Sequence, residues 1–123
     1  MVCAMTLPRP MAAGRRDADA AAALLRCPVA RSLQVIGERW AILVLRDLFL
    51  HGPRKFQDFE RSLAGISPNT LSARLKTLED HGVVERRFYA EHPPRAEYLL
   101  TEKGRELRPV LRALKEWGEK HTG

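Results

Sequence analysis

Cysteine is nearly absent from this chain: Cys3 and Cys27 are its only two in 123 residues. Two cysteines cannot build the disulfide framework of a small secreted domain, so folding has to rest on an apolar core. Long apolar runs are missing too. The most hydrophobic stretch, Ala41 to Leu50, is broken by Arg46 and Asp47 and falls short of the roughly 20 residues that cross a bilayer, so no membrane partner is expected. Met1 to Leu7 lacks a basic segment followed by an apolar one, which argues against a secretory signal and makes the cytoplasm the expected compartment. His51, His81, His92 and His121 stand on separate segments, without metal-ligand spacing among themselves or with Cys27, so neither a metal nor a cofactor is expected. Also missing are a Gly-rich phosphate loop, a carboxylate pair on one element and a nucleophile beside a base; catalysis is not expected.

What is present points elsewhere. Lys and Arg outnumber Asp and Glu by 21 to 15, for a net charge of +6. Such an excess on a small chain favours a polyanionic partner through counterion release, although charge alone is weak support. Hydrophobic residues make up 45%, enough for one core. Residues 1–16 are rich in Ala, with Pro8, Pro10, Gly14 and Arg15–Arg16, and read as a flexible tail preceding a domain over 17–123. Ala18 to Leu25 suits a helical lead-in, since Ala has the highest helix propensity.

Pro28 fits the first turn of a helix with Val29, Leu33 and Ile36 on one face, stopped by Gly37. Arg39 to Leu50 is apolar nearly all round and is predicted to form the centre of the core, buried on most sides. Phe56, Phe59 and Leu63 mark a short helix, and Ala64-Gly65-Ile66 a tight turn. Ser67 as N-cap and Pro68 behind it then open a helix that runs to about His81 and stops at Gly82. Val83 to Tyr89 and Ala96 to Leu100 read as two strands joined through Glu91-His92-Pro93-Pro94. A last helix from Thr101 to about Lys120, kinked at Pro109, carries Leu107, Val110, Leu111, Leu114 and Trp117.

Short helix, turn, capped helix and hairpin, in that order, make a mainly α (α+β) fold: a winged helix-turn-helix with a two-stranded β wing. Leu71, Leu75 and Leu78 define the buried face of the second helix. Asn69, Ala73, Lys76 and Asp80 point away from it, with Ser72, Thr70 and Thr77 beside them. Small polar residues at the amino end suit close approach to base edges; Lys76, with Arg74 on the flank, suits phosphate. The free N–H groups behind Ser67 can hold a further phosphate. Arg54, Lys55, Arg86, Arg87 and Arg95 add positive charge nearby, and His92 sits at the wing tip, against phosphate or simply in water. An ordinary amphipathic helix facing solvent explains such a polar face by itself, but not the turn, hairpin and basic flanks together.

Three stretches carry a family resemblance: CPVARSLQVIGERWAILVLRDLF at 27–49, GPRKFQDFERSLAGISPNTLSARLKTLEDHGVVERRFY at 52–89 and PPRAEYLLTEKGREL at 93–107. Together they resemble the HxlR-type winged-helix transcriptional regulators, related to the MarR group. The resemblance implies a homodimer, joined through its N-terminal and C-terminal helices, on a two-fold symmetric double-stranded operator, with repression the expected sign of regulation. The apolar spacing of the last helix supports a dimer independently: Leu111, Leu114 and Trp117, with Leu24 and Leu25, are candidate interface residues, unless that face packs on Trp40. Two-fold symmetry would set the recognition helices about 34–36 Å apart. The competing reading is a winged-helix protein-interaction module that leaves DNA alone. Cys27 is either a small buried apolar residue or a sensor of oxidants or electrophiles. Family members often carry cysteine there, and a helix start beside Arg26 and Arg31 favours the thiolate, although no second cysteine lies in the ordered domain to pair with it. No small-molecule effector is identifiable, and the two tryptophans read as packing rather than a ligand box.

Overall fold

A computed structural model of the protein describes the backbone from Arg15 to Gly123 and the side chains from Ala18 onward; the expected tail lies almost wholly outside the described residues. The chain divides into two units, the first reaching to Glu38 and the second spanning Arg39–Gly123.

In the first unit the alanine run forms α1 (Arg15–Leu24), which takes in Arg15 and Arg16 at the end of that tail. Pro28 opens α2 (Pro28–Ile36) at a position where its missing N–H is not needed. The intervening turn is fastened from below: the Arg31 guanidinium donates to the carbonyls of Leu25 (3.0 Å) and Arg26 (2.8 Å). Cys27 is the extended N-cap residue of α2, and its side chain makes no capping bond.

The second unit is built on α3 (Arg39–His51). Ala41, Val44, Leu45 and Leu48 follow helical spacing and are buried, while Ile42, Leu43 and Phe49 are half-buried and Leu50 is exposed. So α3 is central on one side only, not enclosed on most sides as its composition suggests. Against it lie α4 (Phe56–Ser62) and α5 (Pro68–Asp80), then β1 (Val84–Glu91) and β2 (Pro94–Leu100). Phe59, Leu63, Leu71, Leu75, Leu78, Val83 and Val84 complete the core. Each fully buried leucine contributes roughly 1.5–3 kcal/mol, far more than any exposed ion pair on α5, so the core decides which way that helix faces.

Ser67 caps α5 as its sequence requires: its hydroxyl accepts from the Thr70 N–H at 3.1 Å. The far end closes in a Schellman arrangement, with Val83 N–H donating to the Leu78 carbonyl (3.0 Å) and Gly82 N–H to that of Glu79 (3.0 Å). Gly82 takes φ +72°, which side chains rarely adopt, and Gly65 does the same at +95° in the turn between α4 and α5.

The antiparallel hairpin pairs Val84 with Leu100 and Glu91 with Pro94, leaving a two-residue turn at His92–Pro93. Both strands are longer than the sequence suggests. The register shifts between Phe88 and Ala90, so Tyr89 forms a bulge. Arg54 and Tyr98 exchange backbone hydrogen bonds (2.9 and 2.7 Å), adding one rung beside β2. At the root, Thr101 N–H donates to the Val83 carbonyl at 3.1 Å, and its hydroxyl donates to the Gly82 carbonyl while accepting from Gly104 N–H.

The expected single C-terminal helix is two helices, α6 (Glu102–Arg105) and α7 (Arg108–His121). Pro109 cannot donate to a carbonyl one turn back and crowds the preceding backbone, so the chain restarts with proline in the first turn of α7 rather than bending a continuous helix.

Candidate nucleic-acid interface

On α5 the leucine face is sealed, and the opposite face is open. Asn69, Ser72, Ala73 and Lys76 are exposed, Thr70 is half-buried, and Asp80 closes the row. Ser67 is exposed and committed to its cap, and its hydroxyl also donates to Thr70 Oγ1 at 2.9 Å. Lys76 reaches Asp80 at 3.2 Å with both side chains largely in water. A pair of that kind is worth about 0.3–0.5 kcal/mol, so a phosphate can take the ammonium away from it at little cost. Arg74 behaves differently from Lys76. It is half-buried, with its Nε enclosed and lacking a hydrogen-bond partner, and lies at the edge of the row.

Arg54 departs from the expected basic surface. Its side chain is only 15% exposed and turns inward, one nitrogen donating to the Asp58 carbonyl (3.2 Å) and another 3.7 Å from Asp47 Oδ2. The reason is Asp47, a carboxylate on α3 that is 1% exposed and needs positive partners. Arg46 supplies a second cation at 3.0 Å, and the Ser62 hydroxyl donates to the same carboxylate. In the sequence Asp47 figures only as an interruption of an apolar run, although a charge in the middle of a helix that buries its neighbours is a signal for such a cluster.

Lys55 remains exposed, with its ammonium 5.1 Å from the centre of the Tyr89 ring. The bulge that carries Tyr89 thus links the wing to the start of α4, a contact that strand alternation alone does not anticipate. Lys55 N–H donates to Asp58 Oδ2 at 3.0 Å, capping α4, and the reciprocal half of a capping box is absent because an ammonium cannot accept. That backbone bond, helped by the charges of Arg54, Arg61 and Lys55 and opposed by partial burial, holds the Asp58 carboxyl below its ordinary 3.8. A depressed carboxylate stabilises the fold above its unfolded pKa and loses that contribution as pH falls through the folded one. Asp58→Asn should therefore cost about 0.5–1 kcal/mol near neutral pH. In urea unfolding, the gap from wild type should close at pH below 3.8; a gap independent of pH would contradict the assignment.

On the wing, Arg87 pairs with Glu97 across the strands (2.6 Å), and Arg86 lies 3.7 Å from Glu79 of α5. His92 and Arg95 are exposed at the tip. The other candidates fall elsewhere. Leu24 and Leu25 are exposed in the first unit; on α7, Leu111 is half-exposed and Leu114 and Trp117 are exposed. The α7 stripe is therefore not covered by Trp40. Cys27 is disulfide-bonded, which corrects the expectation of a thiol without a partner; Cys3 lies outside the described residues. Among the described residues no group of three or more His, Cys, Asp or Glu is placed to hold a metal, and no helix is long and apolar enough to cross a membrane.

A capped helix with a small polar face, braced by a turn before it and a wing after it, defines the winged helix-turn-helix class. Residues 35–123 match the HxlR-like helix-turn-helix family, and the chain belongs to it. It is 45% identical over 92 residues to an HTH-type transcriptional regulator of Synechocystis sp., covering 75% of this chain and 67% of that one. YdeP, an HTH-type transcriptional regulator of Bacillus subtilis, is 40% identical over 95 residues, covering 77% and 73%. Among solved structures, the redox regulator HypR in its oxidized form superposes with a TM-score of 0.73 at 38% identity, over 79% of this chain and 99% of that one. The protein is a transcriptional regulator of helix-turn-helix type.

Proposed function

We propose that the chain acts as a homodimer on a two-fold symmetric DNA operator, as a repressor. The first two turns of α5, Asn69 to Lys76, enter the major groove while Lys55, Arg87, His92 and Arg95 meet flanking phosphates. The observation that carries this reading is the polar row of α5, set by three fully buried leucines on its other side and by the Ser67 cap. The exposed stripe of Leu114 and Trp117 on α7 supports a second copy as the element that covers it. Arg54 is left out of the DNA contacts because Asp47 holds it inward.

Binding to selected genomic fragments in rising salt tests the reading. Six to ten phosphate contacts lower affinity by roughly 10³–10⁵ between 50 and 200 mM salt. Lys76→Ala should weaken binding to all sequences alike and reduce the salt slope by about 1, whereas Asn69→Ala should cost about 1–3 kcal/mol of discrimination at one base position. Identical behaviour of the two variants across operators would refute the division between anchoring and reading. A flat salt response, or no binding to any DNA, would favour a protein-interaction module.

The same reading assigns a redox response to Cys27. Its support is the disulfide-bonded state of Cys27 and the likeness to HypR, whose structures include an oxidized and a reduced form. Operator affinity should differ between oxidised and dithiothreitol-reduced protein, and Cys27→Ser should abolish the difference. If the wild type gives one affinity in both states, Cys27 has a structural role only.

A further inference from the structure

Phe88 is 56% exposed in the middle of β1. A lone exposed ring needs no explanation on a protein surface, but the position of this one does. The hairpin register is regular from Val84 to Phe88, so Val84, Arg86 and Phe88 share a strand face with Leu100, Tyr98 and Ala96 across the ladder. That face is the inward one. Val84 and Leu100 lie in the core, and Tyr98 meets the ring of Phe59 on α4. Phe88 carries the apolar face past the edge of the core, opposite the small Ala96.

Beside the ring stands a cation without a firm partner. The Arg86 guanidinium lies 5.4 Å from the centre of the Phe88 ring, and its Nε is 3.7 Å from Glu79 Oε2, too far for a hydrogen bond. Its side chain is nearly half exposed, so the ion pair to Glu79 holds it weakly. Arg87, on the opposite strand face, is instead tied to Glu97 at 2.6 Å. Because Glu79 belongs to α5, Arg86 stands beside that helix, and Phe88 lies between it and the exposed tip at His92–Pro93. With α5 in the major groove and the tip over the flank, a sugar–phosphate strand passes under Arg86 and Phe88. Such a strand alternates apolar sugar with anionic phosphate. An aromatic ring beside an uncommitted guanidinium is complementary to that pair.

We propose that Arg86 and Phe88 form a saddle for one sugar–phosphate unit of the DNA strand between α5 and the wing tip. The guanidinium swings from Glu79 to the phosphate, and the ring packs on the adjoining deoxyribose. This rests on the DNA binding proposed above and adds a contact chosen for deoxyribose. A 2′-hydroxyl pressed on the ring loses its water and gains no hydrogen bond, so the saddle rejects ribose. Glu79 is the counterweight, holding Arg86 in the free protein and opposing the phosphate in the complex.

The probe is a genomic fragment selected by the wild-type protein and resynthesised as a short duplex. Phe88→Ala should weaken its binding about five- to tenfold, and Phe88→Leu by less, with the salt slope unchanged. Arg86→Gln should reduce that slope by about 1, and Glu79→Gln should tighten binding at least about twofold. Replacing phosphates one at a time by neutral methylphosphonates should reveal a position in each half-site where the wild type loses affinity and Arg86→Gln does not. A single ribonucleotide at the adjoining sugar should cost the wild type at least about fivefold and Phe88→Ala nothing. Circular dichroism of all the variants should match the wild type, since the three positions lie outside the core. Wild-type affinity in either Phe88→Ala or Arg86→Gln, with the duplex still bound and steeply salt-dependent, would overturn the saddle and leave the proposed function standing. If the wild type binds no duplex at all, both fall. If Phe88→Ala binds the duplex as the wild type does but halves the mass measured by light scattering, the face belongs to a second copy and the saddle is overturned.

Discussion

Replacing Phe59 by alanine is expected to lower the unfolding free energy by about 3–5 kcal/mol, the range for emptying a fully buried aromatic position. Phe59 has no exposed surface and meets the Tyr98 ring edge-on, with centroids 6.2 Å apart at 63°. It therefore joins α4 to the second strand of the wing as well as filling the core. Thermal unfolding should fall by roughly 10–20 °C. The contrast is Leu50→Ala, at a position 67% exposed, which should stay within about 0.5 kcal/mol. A loss below about 1.5 kcal/mol at Phe59 would show that the core is centred elsewhere.

The second large effect is expected at Asp47. Asp47→Ala removes the counter-charge of Arg54, whose side chain is 15% exposed, and also leaves Ser62 without its acceptor. Breaking a buried pair from one side costs about 3–5 kcal/mol; because Arg46 is nearly half exposed and can turn to water, the lower end is expected. Asp47→Asn should lose less, since it keeps the shape and an acceptor. Combining Asp47→Ala with Arg54→Met should recover part of the loss, because the orphaned cation is then gone. Strict additivity of the two substitutions would mean that the pair does not interact.

These two positions show what the sequence made legible and what it did not. The orientation of α5 could be read because Leu71, Leu75 and Leu78 repeat at helical spacing between an N-cap serine and a stop glycine, all of it local. The wing could be read as well, from β-rich segments flanking a proline turn, though not its length or its bulge at Tyr89. Arg54 could not be placed, because its direction depends on Asp47, seven residues earlier, and on the rung it shares with Tyr98, far along the chain. Spacing predicts a kink at Pro109 where the chain makes a break, because it cannot distinguish a bent helix from two helices. Lys55, Asn69, Ser72, Ala73 and Lys76 lie on the exposed surface that the sequence reading assigned to them.

The stitching of Thr101 to the carbonyls of Gly82 and Val83 has a consequence for how such proteins can diversify. Both ends of the hairpin are pinned at one spot, and Gly104 packs so closely on the Val83 carbonyl that no side chain fits there. Beyond that clamp β2 is held once more where Tyr98 meets Phe59 and bonds to the Arg54 backbone, while Glu91 to Arg95 at the tip are all exposed. The tip is thus an exchangeable cartridge. It can be lengthened, shortened or swapped for that of another regulator without asking the helices beneath to repack.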